Sequence, residues 1–504
     1  MTDASDEPRA TAPTPRRVHP AILLAVGGAF LFMTFMRGSL AELGWVAFAP
    51  FLVFAHERGG WRRNLALFGA LALGFLAAVS KMATEEIPWV PVPMFAIPFA
   101  FSYFLAVTVA GTAHRRLGPR WGIYTFAAMA VVTSWVQYRF TPGSSWAALA
   151  YTQADHLAFV QLAAITGIAG MTFLVAMGSG LAAVVWSCGV RRVRVDLALF
   201  GVVLGASLVY GQLRLGHAAP GAPVPIAAVV SPVTHREFHA AATGGIDVVR
   251  NFDDELFRRS ALAVERGAKV VVWNEMATLV TVPGEHGLAA RGQAFARERG
   301  VMLVMAYGVF DSFAPLHDTN KYRVYLPDGS LADEYVKRHP VPGDPDSVGQ
   351  TRARAVRFDG VSYSGAICYD YGFPEIARDN ARAGADVALV PASDWRGIDP
   401  LHGRMALVNA VSMGLPMVRP VRAATSIISD AYGRLLGSLR ADGASEGVLV
   451  GSVPAARVPT LFFRTGDLLP LAAIAFCLVV FAQLWGRTRV RSRASVPVVA
   501  TGRR

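Results

Sequence analysis

The sequence predicts a helical membrane domain combined with an α/β domain. Three observations lead to this fold class: 53% of the 504 residues are hydrophobic, only 17% are charged, and the formal net charge is still +12. A soluble domain carries about 25% charged residues, so the low charge indicates membrane spans, and the basic excess indicates Lys- and Arg-rich loops between them. The apolar content excludes intrinsic disorder. The three cysteines lie far apart in the sequence, which excludes a disulfide framework and a cysteine-cluster metal site.

Apolar segments long enough to be membrane spans occur at eight places, since a helix needs about 20 mostly apolar residues to cross a bilayer. They cover approximately residues 20–36, 40–56, 64–80, 89–113, 121–138, 158–186, 195–214 and 466–486. Pro91, Pro93 and Pro98 interrupt the fourth segment and soften its boundaries. A tail that contains acids precedes the first apolar run, which is longer than a signal-peptide core, so we interpret the run as a span.

The distribution of Lys and Arg predicts the orientation of these spans. Of the basic residues around them, 18 lie in one alternate set of connecting segments, and the other set holds only Arg37, Lys81 and Arg139. Because basic segments stay in the cytoplasm, we expect both termini to be cytoplasmic and the α/β domain to lie outside the inner membrane. The predicted parts are a tail (1–19), seven spans (20–217), the extracytoplasmic domain (222–457), an eighth span (466–486) and a basic tail (487–504). The basic charge thus reports topology and not a nucleic-acid partner.

The segment 222–457 alternates short apolar runs with helix-like stretches, which is typical of α/β architecture. Strands are expected at 225–231, 269–273, 301–305, 322–326, 361–367, 386–390, 417–428 and 447–453. Helices are expected at 251–266, 286–299, 374–383 and 402–414. In open α/β sheets ligands bind at the carboxyl ends of strands, so reactive side chains at strand ends are the candidates for a site.

Three reactive side chains sit at strand ends. Glu275 comes after Val-Val-Val-Trp-Asn, Lys337 ends Glu-Tyr-Val-Lys, and Cys368 comes after Gly-Ala-Ile. Singly each has an ordinary explanation: a buried small hydrophobe for the cysteine, a solvated turn for the glutamate, and a basic surface patch for the lysine. Together they supply a base, a cation and a nucleophile, which is the minimum for acyl transfer through a covalent intermediate. A backbone N–H after the cysteine could help to bind an oxyanion.

The contexts VVVWNE, YVKRH and GAICYDYGFPE, in the order Glu, Lys, Cys, resemble the nitrilase, or carbon–nitrogen hydrolase, superfamily. Such a domain inserted before the last of eight spans resembles the apolipoprotein N-acyltransferase family. The segments SSWAALAYTQ, VQLAAITGIAGMTFLV and SDWRGIDPLHGRMALVNAVSMGLPMVRPVRAATSIISDAYG are similar to segments of that family. The resemblance covers nearly the whole chain and implies an αββα sandwich for the α/β domain.

The resemblance also implies site residues. The catalytic triad would be Glu275, Lys337 and Cys368. Supporting or substrate-binding residues would be Asp344, Tyr369, Asp370, Tyr307, Asn320 and Trp146. The chain departs from the family at four places: Asn274 replaces a proline, Asp344 stands roughly where a second glutamate is expected, Asp370 replaces a glutamate, and Asn409 begins the segment that replaces Arg-Ala-x-Glu. These departures indicate a divergent member.

The implied reaction moves an acyl chain from a membrane phospholipid to the N-terminal amine of a diacylglyceryl-modified apolipoprotein through a cysteine thioester. Glu275 would accept the thiol proton, and Lys337 would stabilise the oxyanion and favour the thiolate. Asp344 would orient Lys337 or the amine, and Trp146 would help to admit the acyl chain. No cofactor or metal is implied, and a monomer in the bilayer is expected. A membrane-tethered amidase that uses water as acceptor and an inactive membrane scaffold remain alternatives.

Overall fold

The computed structural model describes residues 18–57, 59–85, 89, 91–233, 250–313, 315–440 and 446–494. Residues 1–17 and 495–504, which include most of the predicted N-terminal tail and part of the basic C-terminal tail, lie outside the described residues.

Helices lie at each of the eight predicted span positions. The membrane-domain helices are α1 (Pro20–Thr34), α2 (Ala41–Gly44), α3 (Ala49–His56), α4 (Trp61–Val79), α5 (Pro91–Leu117), α6 (Pro119–Phe140), α7 (Leu157–Val160), α8 (Ala163–Cys188), α9 (Arg194–Gly216) and, after the second domain, α15 (Leu468–Ala494). Five of the described helices are long and apolar enough to cross a bilayer: Trp61–Met82, Pro91–Leu117, Ala163–Cys188, Arg194–Gly216 and Leu468–Arg487. The protein is therefore a multi-pass membrane protein, whereas the count of eight spans is not established by these helices.

The remaining three positions differ from the prediction in length or composition. The first, α1, has 15 residues, and the second is divided between two short helices, so both are shorter than a bilayer-spanning helix needs. The helix α6 is long enough but buries polar side chains, among them Thr125, Ser134 and Gln137. A helix packed inside a bundle tolerates such residues because neighbouring helices, and not lipid, surround it.

The second domain contains two main sheets and follows the predicted alternation. Its strands are β1 (Pro223–Val229), β2 (Val270–Trp273), β3 (Leu279–Thr281), β4 (Met302–Phe313), β5 (Leu316–Tyr325), β6 (Leu331–Val336), β7 (Val356–Phe358), β8 (Val361–Gly365), β9 (Val387–Leu389), β10 (Ala392–Ser393), β11 (Met417–Arg419), β12 (Val421–Arg422), β13 (Thr425–Ser429), β14 (Leu435–Arg440) and β15 (Val448–Pro454). Its helices are α10 (Arg250–Glu265), α11 (Val282–Arg299), α12 (Pro374–Arg382), α13 (Leu401–Met413) and α14 (Leu461–Thr465). The predicted α/β architecture is confirmed.

The first sheet has the strand order β15-β1-β2-β4-β5-β6, with β3 paired to β4, and the second has the order β14-β13-β11-β9-β8-β7. The strands β1, β2 and β4 are parallel to one another, as are β8, β9 and β11. Alternate residues of the first sheet face two different cores. Val270 and Val272 share a core with Val387 and Met417 of the second sheet, while Val271 packs in the core that contains helices α10 and α11. This alternation produces the stacked layers of the domain.

The edge strands β7 and β14 were not among the predicted strands, and β6 was expected only from the strand end assigned to Lys337. At least half of the residues of β6 and β14 are exposed, and β7 has only three residues. Edge strands are commonly short or polar because one side faces solvent. They therefore lack the apolar runs on which the prediction depended.

The second domain rests directly on the membrane helices. The Tyr369 hydroxyl donates to the carbonyl of Pro142 at 2.8 Å, and the Trp395 indole donates to the carbonyl of Met82 at 2.6 Å. The Gln161 amide donates to the carbonyl of Tyr432 at 2.8 Å. These buried or half-buried bonds connect the loops at one end of the membrane helices to the strand ends of the second sheet, so any site at those strand ends lies at the junction of the two domains.

Gly365 ends β8, three residues before Cys368, and a methyl group there would lie 1.8 Å from the carbonyl oxygen of Leu389 on β9. We expect Gly365→Ala to destabilise the protein by about 1–3 kcal/mol because the strands must separate to admit the methyl group. Gly287→Ala in α11 is the matched control, since its methyl group meets open space and alanine favours a helix by about 1 kcal/mol. Thermal unfolding in detergent measures both variants. Equal melting temperatures for the two would contradict the strand packing.

Candidate active site

The three predicted catalytic side chains meet at the strand ends of the second domain. Glu275 follows β2, Lys337 follows β6, and Cys368 follows β8 and begins a 3-10 turn that ends at Gly372. All three line one cavity of about 520 Å³, a volume within the range of small-ligand sites, which is roughly 300–1,000 Å³. The fold thus brings together residues from three distant parts of the chain.

Glu275 and Lys337 form a buried ion pair. The Lys337 Nζ lies 2.9 Å from the Glu275 Oε1, and the two side chains are 3% and 4% exposed. The Asn320 amide donates to the same oxygen at 2.8 Å, and the Asn320 backbone carbonyl accepts from the backbone N–H of Lys337 at 2.9 Å. Pairing between β5 and β6 places Asn320 beside Lys337. One strand residue therefore fixes both the base and the cation.

Asp346, which the sequence analysis missed, lies closer to Lys337 than the predicted Asp344. The Asp346 Oδ2 is 3.4 Å from the Lys337 Nζ and its side chain is 5% exposed, whereas the Asp344 Oδ2 is 4.0 Å away and its side chain is 43% exposed. The Asp-Pro-Asp sequence offered a signal, because it supplies a second acid two residues after the first. The structure therefore brings Asp346 as well as Asp344 to the lysine.

A second carboxyl group, that of Asp318 on β5, is buried against Asp346. Burial, and next the contact with Asp346, raise the pKa of Asp318 to about 8. Two carboxylates in contact oppose each other's ionisation, so the contact favours the protonated form of Asp318. Asp344 at the cavity edge has its pKa raised to about 6, first by burial and then by Asp346 and Glu275, while Lys337 opposes this rise.

The charges around Lys337 decide the state of the nucleophile. Burial alone would lower the pKa of Lys337, but Glu275 and Asp346 outweigh it and raise the pKa well above its ordinary value. Burial, followed by Glu275 and Asp394, raises the pKa of the Cys368 thiol well above its ordinary value, and Lys337 only partly offsets this. Lys337 does favour the thiolate, as expected, yet other groups outweigh it. The resting nucleophile is a thiol.

The turn at Cys368 has a left-handed backbone and a network of hydrogen bonds. Cys368 has φ +49°, an uncommon value for a residue other than glycine, asparagine or aspartate. Such strain persists only where the surroundings impose it. Asp370 supplies part of that constraint, because its carboxylate accepts from the Tyr335 hydroxyl at 2.8 Å, the His339 backbone N–H at 2.8 Å and the Ile367 backbone N–H at 3.2 Å.

The other predicted site residues divide into two groups. Trp146, Tyr369 and Asn320 line the cavity together with Asp344. Tyr307 and Asp370 are not among the residues that line it. Tyr307 packs in the core beneath α11, where its hydroxyl donates to the Glu285 carboxylate at 2.9 Å, and Asp370 holds the turn as described above.

Two of the residues that depart from the family pattern are also bonded to the backbone of the site. The Asn274 Oδ1 accepts from the backbone N–H of Ser231 at 2.7 Å, and its Nδ2 donates to the backbone carbonyl of Glu275 at 2.8 Å. The Asn409 Nδ2 donates to the carbonyl of Tyr371 at 2.7 Å. Both asparagines are completely buried. Each holds a backbone segment next to a member of the triad.

A buried cluster of His402, Asp394 and Arg419 lies on the other side of Cys368, and the sequence analysis did not single it out. The Asp394 Oδ1 is 2.7 Å from the His402 Nδ1 and 3.8 Å from the Cys368 Sγ. The Arg419 guanidinium donates to the two Asp394 oxygens at 3.1 and 2.9 Å. Burial raises the pKa of Asp394, but Arg419 and His402 outweigh it and hold the pKa below its usual range. The sequence signal for this cluster was the occurrence of these three charged or polar residues within otherwise apolar segments.

The cluster has the residue types of a metal site, since ligand atoms of Cys368, Asp394 and His402 lie within 4.8 Å of one another. Arg419, however, already neutralises Asp394 and donates to both of its oxygens. A divalent cation would have to displace this buried guanidinium. We therefore assign the three residues to the protein's own hydrogen-bond network and not to a metal.

The far wall of the cavity is apolar and comes from the membrane domain and from loops of the second domain. It is formed by the ends of α4 and α5 and by the loop residues that meet them: Val79, Met82, Pro91, Val92, Phe95, Trp146, Trp395 and Ile398. The cavity thus combines charged groups and Cys368 with a large hydrocarbon surface. Such a cavity fits a long apolar chain with a polar reacting group at its end.

The raised pKa of Cys368 predicts slow alkylation by iodoacetamide, because the thiolate is the reacting form. We expect Cys368 to react far more slowly at pH 7 than the exposed Cys188, with a rate that rises as the pH increases toward its raised pKa. Glu275→Gln removes a negative charge that raises this pKa, so alkylation of Cys368 becomes faster at the same pH. Mass spectrometry of the peptides measures both rates, and a slower reaction in Glu275→Gln contradicts the electrostatic assignment.

Comparisons with known proteins agree with this architecture. Residues 27–181 match the family model for the apolipoprotein N-acyltransferase N-terminal domain, and residues 235–461 match that for carbon-nitrogen hydrolase. The apolipoprotein N-acyltransferase of Geobacter metallireducens is 25% identical over 525 residues, covering 94% of this chain and 97% of its own length. That of Bradyrhizobium diazoefficiens is 26% identical over 407 residues, covering 74% of each chain.

Among solved structures, an amidase from Nesterenkonia sp. is similar at 22% identity, covering 48% of this chain and 94% of its own, with a TM-score of 0.36. The carbon-nitrogen hydrolase from Helicobacter pylori G27 is similar at 15% identity, covering 46% of this chain and 89% of its own, with a TM-score of 0.38. The two family matches together cover most of both domains, and relatives named apolipoprotein N-acyltransferase align along most of the chain. The chain belongs to the apolipoprotein N-acyltransferase family, within the carbon–nitrogen hydrolase superfamily.

Proposed function

We propose that this protein transfers an acyl chain from a membrane phospholipid to the N-terminal amine of diacylglyceryl-modified apolipoproteins, through a thioester on Cys368. The observation that carries the proposal is the single cavity, which joins apolar residues of the membrane helices to Cys368, Glu275 and Lys337. A soluble amide substrate has no need of such a wall. A lipid donor does, because its acyl chain must leave the bilayer without exposing hydrocarbon to water.

In the first half-reaction, the Cys368 sulfur attacks the ester carbonyl of the donor, and the C–O bond to the glycerol breaks. Among the described residues, the hydrogen bonds to the Glu275 carboxylate end on Oε1, so Oε2 is left to take the thiol proton and to pass it to the departing alkoxide. Lys337 stabilises the oxyanion of the tetrahedral intermediate. The thiol is neutral at rest, so its deprotonation accompanies the attack.

In the second half-reaction, the amine of the apolipoprotein attacks the thioester carbon. The C–S bond breaks, Glu275 carries a proton from the nitrogen to the departing sulfur, and the product amide leaves. The two substrates use one cysteine in turn, which gives a ping-pong reaction. The Trp146 ring lies 5.3 Å from the His402 ring and belongs to the apolar wall, where it would contact the chain of either lipid.

Eight spans with both termini in the cytoplasm suit this reaction. The 18 basic residues in alternate connecting segments support that orientation. The orientation would put the second domain outside the inner membrane, where the lipid-anchored acceptor would lie. The protein would act as a monomer in the bilayer.

The thioester predicts a stable acyl-enzyme in the absence of an acceptor. We expect purified protein incubated with phospholipid alone to gain one acyl chain on the Cys368 peptide and to release one equivalent of lysophospholipid. Addition of a diacylated lipopeptide then yields a triacylated peptide. Cys368→Ala gives neither product. Mass spectrometry reads all of these species. Free fatty acid with no triacylated peptide indicates hydrolysis by an amidase-like enzyme, and absence of the acyl-enzyme in the wild-type protein contradicts the proposal.

The orientation predicts different access for two thiols. Ser438 is exposed on β14 of the second domain, and Cys188 is exposed at the end of α8 that we assign to the cytoplasm. We expect a membrane-impermeant maleimide to label Ser438→Cys in intact spheroplasts but to label Cys188 only after the membrane is permeabilised. Gel-shift detection distinguishes the two thiols when Cys188→Ala is the paired control. Labelling of Cys188 in intact spheroplasts would contradict the proposed orientation.

A further inference from the structure

Acyl transfer to an ammonium group releases two protons, and the residues Glu275, Lys337 and Cys368 provide an acceptor for only one of them. An α-amino group has a pKa of about 7.7–8.0, so the acceptor reaches the site largely as an ammonium. That ammonium must lose one proton before nitrogen can attack and a second when the amide forms. Glu275 passes the second proton to the departing sulfur of Cys368. The first proton requires another base, and this requirement rests on the function proposed above.

His402 has the geometry of that base. It is 1% exposed and lines the same cavity as Cys368. Its Nδ1 lies 2.7 Å from the Asp394 Oδ1. A contact this short between a carboxylate oxygen and a ring nitrogen requires a proton between them, so Nδ1 carries the hydrogen. In the neutral ring Nε2 then carries a lone pair.

The Nε2 atom is buried and has no hydrogen-bond partner within the described part of the chain. An unsatisfied buried polar atom costs free energy, and a catalytic role or a bound molecule is one explanation for keeping it. Trp146 stacks on the imidazole with ring centroids 5.3 Å apart and planes 30° apart. The stacking and the Asp394 bond together fix the direction of Nε2.

Groups of opposite charge flank His402. Asp394 stabilises an imidazolium, whereas the Arg419 guanidinium, 3.1 Å from Nδ1, opposes it. Two further titratable groups lie near the ring: the Cys368 thiol and the phenol of Tyr369, whose ring lies 6.5 Å from the imidazole. Both are neutral at rest, since their pKa values are raised.

We propose that the His402 Nε2 accepts a proton from the acceptor ammonium before the amine attacks the thioester. The N–H bond breaks, its electron pair remains on the amine nitrogen, and the imidazole becomes a cation held by Asp394. The free amine then attacks the carbonyl carbon. After the amide leaves the cavity, the imidazolium gives its proton to water. His402 thus acts in the second half-reaction and has no proton to move in the first.

The test separates the two half-reactions in His402→Asn, which keeps an amide near Asp394 but offers no base. Single-turnover release of lysophospholipid should match the wild-type rate. Transfer from the acyl-enzyme to a diacylated lipopeptide at pH 7 should fall by about 10²-fold, a typical contribution of general base catalysis. The deficit should shrink between about pH 7 and pH 9, because the amine then arrives already deprotonated.

Hydroxylamine provides a second acceptor, because it is uncharged at about pH 7 and needs no base to free its lone pair. We expect it to discharge the acyl-enzyme of His402→Asn at the wild-type rate. The matched control for loss of an imidazole is His317→Asn, at an exposed position beside Asp311. This control should behave as wild type with both acceptors.

Equal deficits with lipopeptide and hydroxylamine, or a deficit that does not change with pH, would show that His402 is only structural and would overturn the proposal. Normal formation of the acyl-enzyme verifies that a variant is folded. If His402→Asn fails this check, His402→Gln carries the same comparison. Failure of the wild-type protein to form the acyl-enzyme contradicts the proposed function itself and is therefore distinguishable from failure of the role of His402.

Discussion

The buried ion pair between Glu275 and Lys337 is the constraint on which the rest of the site depends. Both side chains are almost fully shielded from water, and removing one partner from such a pair costs on the order of 3–5 kcal/mol because the other charge is left uncompensated. The two residues follow β2 and β6, which are separated in the sheet by β4 and β5. The pair therefore locks the ends of non-adjacent strands, and Asn320 on β5 links the two residues across that gap.

The same ion pair explains why the side chain of Cys368 is a thiol at rest. Asp346 adds a second negative charge near Lys337, and this charge weakens the stabilisation that Lys337 gives to a thiolate at Cys368. A thiolate preformed at neutral pH would depend on that stabilisation. In the proposed reaction the proton would leave only when Glu275 and an ester carbonyl are both in position, which would tie deprotonation of Cys368 to arrival of the donor. Asp394 acts in the same direction from the opposite side of the sulfur.

Much of the architecture could be predicted from the sequence because the pattern of apolar residues marks most of the buried strands and helices. The run before Glu275 is continuous and apolar, as buried parallel strands are. The run before Cys368 alternates serines with larger residues and then reads Gly-Ala-Ile, so the position of both residues at strand ends was readable. Asp346, Asp318 and His402 could not be found in this way. Asp346 lies in a loop, Asp318 lies on β5, and His402 lies on helix α13. Only tertiary packing brings these three positions to the cavity. The number of spans is hard to read from the sequence for a related reason, since a helix enclosed by other helices need not be apolar.

Three of the four departures from the family pattern, Asn274, Asp370 and Asn409, lie in the framework of the site, whereas Asp344 lines the cavity. Asn274 substitutes two hydrogen bonds for the fixed backbone angle of a proline. At Asn409 and Ser412 the family's basic and acidic residues are both replaced by neutral ones, and the Ser412 hydroxyl donates to the backbone carbonyl of Asn409 at 2.7 Å. Replacing a base and an acid together at a buried position leaves no charge unpaired, so it costs far less than replacing one alone. The framework has therefore changed in compensated steps, while the electrostatics at Cys368 are still set by Glu275 and Lys337.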